Sequence, residues 1–112
     1  MNFPKETEKD ITVIKVNLSK ATMKEAGELK NTVAESLSNG SSKFIIDFSQ
    51  CEFMDSTFIS ALINSLKNVS KVNGKLFLAN VHSESMSLME LTGTSKVFSF
   101  YPTVKDALKS FQ

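Results

Sequence analysis

Residues 43–81 read KFIIDFSQCEFMDSTFISALINSLKNVSKVNGKLFLANV. The stretch begins with a nearly continuous apolar run, KFIIDF, which is typical of a strand buried on both faces of a sheet. Apolar residues then recur every three or four positions, as in an amphipathic helix, until Asn73-Gly74 ends the pattern. A second apolar run, KLFLANV, follows. Strand, helix and strand in this order predict a parallel crossover unit, and therefore a protein of the α/β class.

The residues before this stretch extend the same alternation. Apolar and polar residues alternate in ITVIKVNL (11–18), which predicts a strand with one covered face. Phe3 marks a weaker strand before it, which would turn back through EKD. Helical spacing predicts a helix over 23–37, with Thr22 as its N-cap.

The residues after the stretch complete the domain. The sequence predicts a short helix in ESMSLMELTG, a short strand in KVFSF and a terminal helix that Thr103 opens. No linker or repeat divides the chain. We therefore expect a single α/β domain over residues 1–112. Its sheet would have four to five mostly parallel strands with an N-terminal antiparallel strand or hairpin, and about four helices would pack against it.

Composition narrows the classes of partner and compartment. The 13 basic residues are all lysines and face 12 acidic ones, so no charge excess indicates nucleic acid as a partner. A single cysteine, Cys51, excludes an internal disulfide and fits a reducing compartment. It has no basic neighbour that would lower its pKa, so we interpret it as unreactive.

No apolar run approaches the roughly 20 residues of a membrane span, and the N-terminal residues lack the apolar core of a signal peptide. We expect a cytoplasmic protein without membrane insertion.

Catalytic and metal-binding patterns are sparse. The sequence has no glycine-rich phosphate loop and no His, Cys and carboxylate cluster at ligand spacing. His82 is the single histidine. A serine nucleophile would be expected on a strained turn between glycines, whereas Ser56 lies between Asp55 and Thr57. We expect a protein that is not an enzyme and needs no cofactor or metal. An enzyme that uses Ser56 as nucleophile with His82 stays as an alternative.

The segment FMDSTFIS (53–60) joins the first buried strand to the helix. Asp55, Ser56 and Thr57 are residue types that cap helices, because their oxygens accept bonds from the first-turn N–H groups. The same segment lies at the carboxyl side of the predicted sheet. Its hydroxyls would therefore be presented beside a helix N-terminus that tolerates an added anion. Helix capping alone accounts for these residues, and their position at the sheet edge leaves a functional role for one of the hydroxyls open.

These residues resemble a known family. The buried strand ending in Asp-Phe-Ser, the FMDS motif, the amphipathic helix and the turn into KLFLANV resemble the STAS domain of bacterial anti-sigma factor antagonists. The pattern continues through SMSLMELTGTSKVFSFYPTVKDAL, so the resemblance covers nearly the whole chain. It implies that Ser56 is a phosphoacceptor. It also implies that the unphosphorylated chain binds an anti-sigma factor that is a serine kinase of the GHKL type. A PPM-type phosphatase would reverse the modification, and the chain itself would be a monomer or weak dimer.

The resemblance further implies a partner-binding surface around the serine. Its residues would be Thr22, Met23, Asp55, Ser56, Thr57 and Phe58. The chain departs from the family pattern at Thr57 and Phe58, where a small residue and then glycine are usual. We expect Phe58 either to narrow kinase access to Ser56 or to offer an apolar contact to a partner. NLSKATM (17–23) also lacks the usual Gly-acid-x-Asp pattern. Thr57 is a second possible acceptor. The alternative function is a STAS scaffold subunit of a signalling or lipid-transport complex, without a phosphorylation cycle.

Overall fold

A computed structural model describes all 112 residues of the chain. It contains seven strands, four α-helices and one 3₁₀ turn. In chain order these are β1 (Lys5–Glu8), β2 (Ile11–Lys15), β3 (Lys20–Ala21), α1 (Met23–Ser38), β4 (Lys43–Asp47), β5 (Phe53–Met54), α2 (Ser56–Lys71), β6 (Lys75–Ala79), α3 (Ser83–Leu91), the 3₁₀ turn (Thr94–Val97), β7 (Ser99–Tyr101) and α4 (Val104–Ser110).

Five of the strands form one mixed sheet in the order β1-β2-β4-β6-β7. The β1–β2 pair is antiparallel, a hairpin that turns at Lys9-Asp10, and the other three pairs are parallel. The predicted α/β fold, with its hairpin, mostly parallel sheet and four helices, is confirmed. The hairpin turn is held to the neighbouring strand by an ion pair of 2.9 Å between Asp10 and Lys43.

The core lies on both faces of this sheet. Successive residues of a strand point to opposite faces, so one row of paired residues faces α1, α2 and α3 while the next faces α4. The first row is fully buried and consists of Ile14, Ile46 and Leu78. The second row consists of Val13, Ile45 and Phe77. Phe77 stacks on Phe111 beyond α4, with ring centroids 4.5 Å apart. Burial on both faces explains why β4 and β6 are continuous apolar runs.

Two segments differ from the sequence prediction. Phe3 does not begin a strand; it is buried in the core, and β1 begins only at Lys5. The predicted strand KVFSF is also displaced. Gly93 adopts a left-handed φ of 78° after α3, and the next residues form the 3₁₀ turn instead of a strand. Only after that turn does the chain reach the sheet, where Tyr101 pairs with Ala79.

A second, two-stranded sheet was not predicted. In it β3 pairs in parallel with β5, and Ala21 lies opposite Met54. The main-chain bond from Asp55 N to Ala21 O (3.1 Å) continues the pairing by one residue. Each of these short strands leads directly into a long helix. The small sheet therefore holds the starts of α1 and α2 at the same level.

Candidate functional site

Two helix starts lie side by side at the end of the small sheet. Because Ala21 and Met54 are paired, the residues that follow them are in matching positions. Thr22 is the N-cap of α1 and Asp55 is the N-cap of α2. Met23 and Ser56 are then the first helical residues of the two helices. The structure thus brings together four of the predicted site residues that are distant in sequence.

Asp55 bonds to both helix starts with one carboxylate. Its Oδ1 accepts the N–H of Phe58 in α2 at 2.9 Å, which is an ordinary N-cap bond. Its Oδ2 accepts the N–H of Met23 in α1 at 3.0 Å. Both bonds place a negative group at the positive end of a helix dipole, where it is stabilising. The side chain is therefore both the cap of its own helix and a link to the neighbouring one.

The start of α1 has its own closed cap as well. Thr22 Oγ1 accepts the N–H of Lys24 at 3.3 Å, and the carboxylate of Glu25 accepts the N–H of Thr22 at 2.9 Å. This reciprocal pattern is a capping box. The predicted role of Thr22 as N-cap is confirmed.

The hydroxyls of Ser56 and Thr57 are exposed at the start of α2. No hydrogen bond within the chain engages the Ser56 hydroxyl. The first two N–H groups of α2, those of Ser56 and Thr57, have no partner in the helix ladder. The next two are bonded, that of Phe58 to the Asp55 carboxylate and that of Ile59 to the Asp55 carbonyl oxygen. This leaves two free N–H donors beside an accessible serine.

Two apolar side chains are exposed on the elements that lead into or begin the two helices. Met23, on the first turn of α1, is 69% exposed, and Phe53, in β5, is 39% exposed. Met23 was a predicted site residue, whereas Phe53 was not singled out. Nothing in the sequence indicates that Phe53 lies in a strand, because β5 has only two residues and its pairing with Lys20 is not visible in the sequence. Met23 lies at the helix start that Asp55 contacts, whereas Phe53 lines a groove with Lys20 and Glu84.

Phe58 does not belong to this surface. Its side chain is fully buried and its ring stacks on that of Phe3, with centroids 6.1 Å apart. The expected contact with a partner, or obstruction of Ser56, is therefore wrong, because the ring points into the core. The apolar stripe of α2 already contained Phe58 and was the better guide to its position.

The other candidates lie outside this arrangement. His82 Nε2 is 3.4 Å from the carbonyl oxygen of Ser49, a long contact, and makes no hydrogen bond with Ser56. Cys51 is buried beneath β5, with Sγ 3.3 Å from the Phe53 carbonyl oxygen. Burial raises the pKa of the Cys51 thiol above its ordinary value. The geometry thus brings no base to the serine and keeps the thiol in its unreactive protonated form.

The fold and the site together describe a single α/β domain that presents an unpartnered serine beside a charged helix cap. A family model described as "STAS domain" matches residues 2–107. The chain therefore belongs to the STAS domain family, as its sequence resemblance indicated. None of its helices combines the length and hydrophobicity needed to cross a membrane.

Similar proteins carry names connected with sigma-factor regulation. A Thermotoga neapolitana protein, provisionally named an anti-sigma factor antagonist and a homologue of TM1081, is 26% identical over 98% of this chain and 97% of its own length. The crystal structure of Thermotoga maritima TM1081 matches with a TM-score of 0.88 and 24% identity, over 96% of this chain and 92% of that one. The phosphorylated form of Bacillus SpoIIAA matches with a TM-score of 0.75 and 16% identity, over 98% and 99%.

Proposed function

We propose that this chain is an anti-sigma factor antagonist, a non-enzymatic protein that is switched by phosphorylation of Ser56. In its unphosphorylated state it binds an anti-sigma factor that is also a serine kinase of the GHKL type, and so releases the sigma factor. The kinase phosphorylates Ser56 and the complex separates. A PPM-type phosphatase restores the binding form. The binding surface consists of Thr22, Met23, Asp55, Ser56 and Thr57.

The observation that carries this proposal is the accessibility of Ser56. Its hydroxyl is exposed, makes no hydrogen bond and lies at the first position of α2. A kinase needs such a hydroxyl, because the oxygen must be accessible to attack the γ-phosphate of ATP in line with the leaving group. The names of the similar proteins, and the existence of a phosphorylated form of one of them, support the same function.

The start of α2 can accept a phosphate without loss of the fold. A phosphoserine adds about −1.5 to −2 charges and three acceptor oxygens. The free N–H groups of Ser56 and Thr57, and the positive end of the helix dipole, are suited to bind that anion. Both oxygens of Asp55 are already bonded to other amides, so the cap need not be displaced.

The same charge opposes docking of a partner. Phosphate at Ser56 and the carboxylate of Asp55 would form a concentrated negative group at the helix start beside Met23. Burying such a group against a surface adapted to a neutral serine costs roughly 2–5 kcal/mol. That cost corresponds to a loss of affinity of about 30-fold to several thousand-fold. A local change of charge is therefore sufficient for the switch.

The test is to map phosphosites and complexes of the chain in its host, in growing and in stressed cells. We expect phosphate on Ser56 whose amount changes between conditions, and a kinase that co-purifies with the unphosphorylated chain only. Ser56→Ala is expected to bind the kinase permanently and Ser56→Asp to lose binding. Ser60→Ala is the matched control, since it removes another exposed hydroxyl of α2 outside the proposed surface and should leave modification of Ser56 intact.

Two results would contradict the proposal in different ways. If Ser56 stayed unmodified in every condition while the chain co-purified with a stable complex, the chain would be a scaffold subunit of a signalling or lipid-transport complex. If phosphate were found on Thr57 alone, the switch would stand but its assignment to Ser56 would be wrong.

A further inference from the structure

We propose that Asp55 is a positioning residue that joins the starts of α1 and α2 into one recognition surface. Its carboxylate fixes Met23 beside Ser56, so that a partner meets the apolar side chain and the serine together. This inference rests on the proposed function for the identity of the partner. The link itself is a property of the free chain and can be tested without any partner.

The geometry provides one side-chain link between the two helix starts. The small sheet consists of only two residues in each strand, and it is the only β-pairing that holds β3 and β5 in register. Beyond it, Met23 and Ser56 occupy equivalent first positions of two different helices. The bond of 3.0 Å from Met23 N to Asp55 Oδ2 is the hydrogen bond that spans the two helix starts past the end of that sheet. Without it, no side chain of α2 or its cap bonds to the first turn of α1, which keeps its own capping box and its packing through Ala26.

The two bonds also explain why the residue is an aspartate. An N-cap needs one acceptor, and Asn, Asp and Ser supply it about equally well. A carboxylate has two acceptor oxygens, whereas the amide of asparagine and the hydroxyl of serine have one oxygen each. Asn and Ser at position 55 can therefore cap α2 but cannot satisfy Met23 N and Phe58 N at once. These two substitutions separate the link from the cap.

Amide resonances of the free chain test the link directly. In Asp55→Asn and Asp55→Ser, we expect the Met23 amide proton to move upfield and to gain a larger temperature coefficient, as on loss of a bond to a carboxylate. The Phe58 amide is the internal reference, because it keeps a capping oxygen. A Met23 amide that stays unchanged in both variants would show that no link exists and would overturn the proposal.

A double-mutant cycle tests whether the link matters for recognition. The partner is the kinase captured by the unphosphorylated chain, and the measured quantities are Kd and the KM and kcat for phosphorylation of Ser56. We expect Met23→Ala to weaken binding by about tenfold in the wild-type background, the usual size for a central apolar contact. In the Asp55→Asn background the same change should cost less than about twofold, because Met23 is no longer held in place. For phosphorylation of Ser56 in the Asp55→Asn variant, KM should rise while kcat stays within about twofold of the wild-type value.

The matched control is Glu25→Ala, which removes the bond of α1 to its own Thr22 and leaves Asp55 untouched. In that background Met23→Ala should still cost about tenfold. Additive effects of Asp55→Asn and Met23→Ala, or no effect of Met23→Ala in the wild-type chain, would overturn the recognition role. If the wild-type chain binds no kinase, the proposed function fails, and the amide resonances alone still decide whether Asp55 positions α1.

Discussion

The starts of α1 and α2 occupy equivalent positions in the fold but are built differently. Each follows a two-residue strand of the small sheet, and each begins with a side chain that caps the helix. In α1 the third helical residue, Glu25, turns back and bonds to Thr22, so the start is closed by its own residues. In α2 the third residue is Phe58, which is buried in the core. No side chain of α2 returns to close its start.

This difference leaves the start of α2 with an unbonded hydroxyl and unbonded N–H groups. The first two N–H groups of α1, those of Met23 and Lys24, are bonded to Asp55 and Thr22, whereas those of Ser56 and Thr57 in α2 have no partner. The capping box of α1 serves stability. The open start of α2 leaves its serine and its donors free. Substitutions at matching positions of the two starts can test this division.

Substitutions at the third helical position should give the largest difference in stability between the two helix starts. We expect Phe58→Ala to lower the free energy of unfolding by about 3–5 kcal/mol, since it removes a fully buried aromatic ring. Glu25→Ala should cost only about 1 kcal/mol, because it removes the part-buried bonds that its carboxylate accepts from the N–H and the hydroxyl of Thr22. Urea unfolding followed by circular dichroism measures both. Phe58→Leu, which keeps much of the volume, should cost clearly less than Phe58→Ala. A loss below about 1 kcal/mol for Phe58→Ala would mean that the ring does not support the core.

Substitutions at the N-caps should give the next largest difference in stability. Asp55→Ala leaves both Phe58 N and Met23 N without an acceptor, and should cost about 2 kcal/mol. Thr22→Ala loses the bond from Lys24 N and the bond from its own hydroxyl to Glu25, while Glu25 still accepts the main-chain N–H of residue 22, and it should cost about 1 kcal/mol. The same unfolding measurements rank the two. Equal losses would indicate that the second bond of Asp55 adds nothing to stability, and the comparison of the two starts would fail at this position.

Much of the fold follows from local signals in the sequence. Apolar runs predict β4 and β6 because strands buried on both faces cannot alternate with polar residues. Capping residues predict the starts of the helices, because Thr22, Asp55 and Thr103 each accept a first-turn N–H. The serine in the site also follows from the motif around it, since a helix start after a buried strand lies at the sheet edge. Fold class and helix boundaries are therefore readable without the structure.

The arrangement of the site depends on contacts that the sequence does not display. The strands β3 and β5 have two residues each, too few for any periodic pattern, and their register joins residues 33 positions apart. The bond from Asp55 to Met23 exists only because of that register. Phe58 is the opposite case. It belongs to the apolar stripe of α2, which predicts a core position, whereas its place next to the serine led us to expect it at the surface. The stripe was the correct guide, because burial follows from helical periodicity.

The first helical position should give the smallest effect on stability, and this is where function and stability separate. Met23 and Ser56 are both exposed, so Met23→Ala and Ser56→Ala should each change the free energy of unfolding by less than about 0.5 kcal/mol. Ser56→Asp should also be neutral, or stabilising by about 0.3–1 kcal/mol, because a negative charge is favourable in the first turn. Unfolding curves and kinase binding should be measured on the same samples. If Ser56→Asp lowered stability by more than about 1.5 kcal/mol, loss of binding would follow from damage to the helix start rather than from charge at the interface.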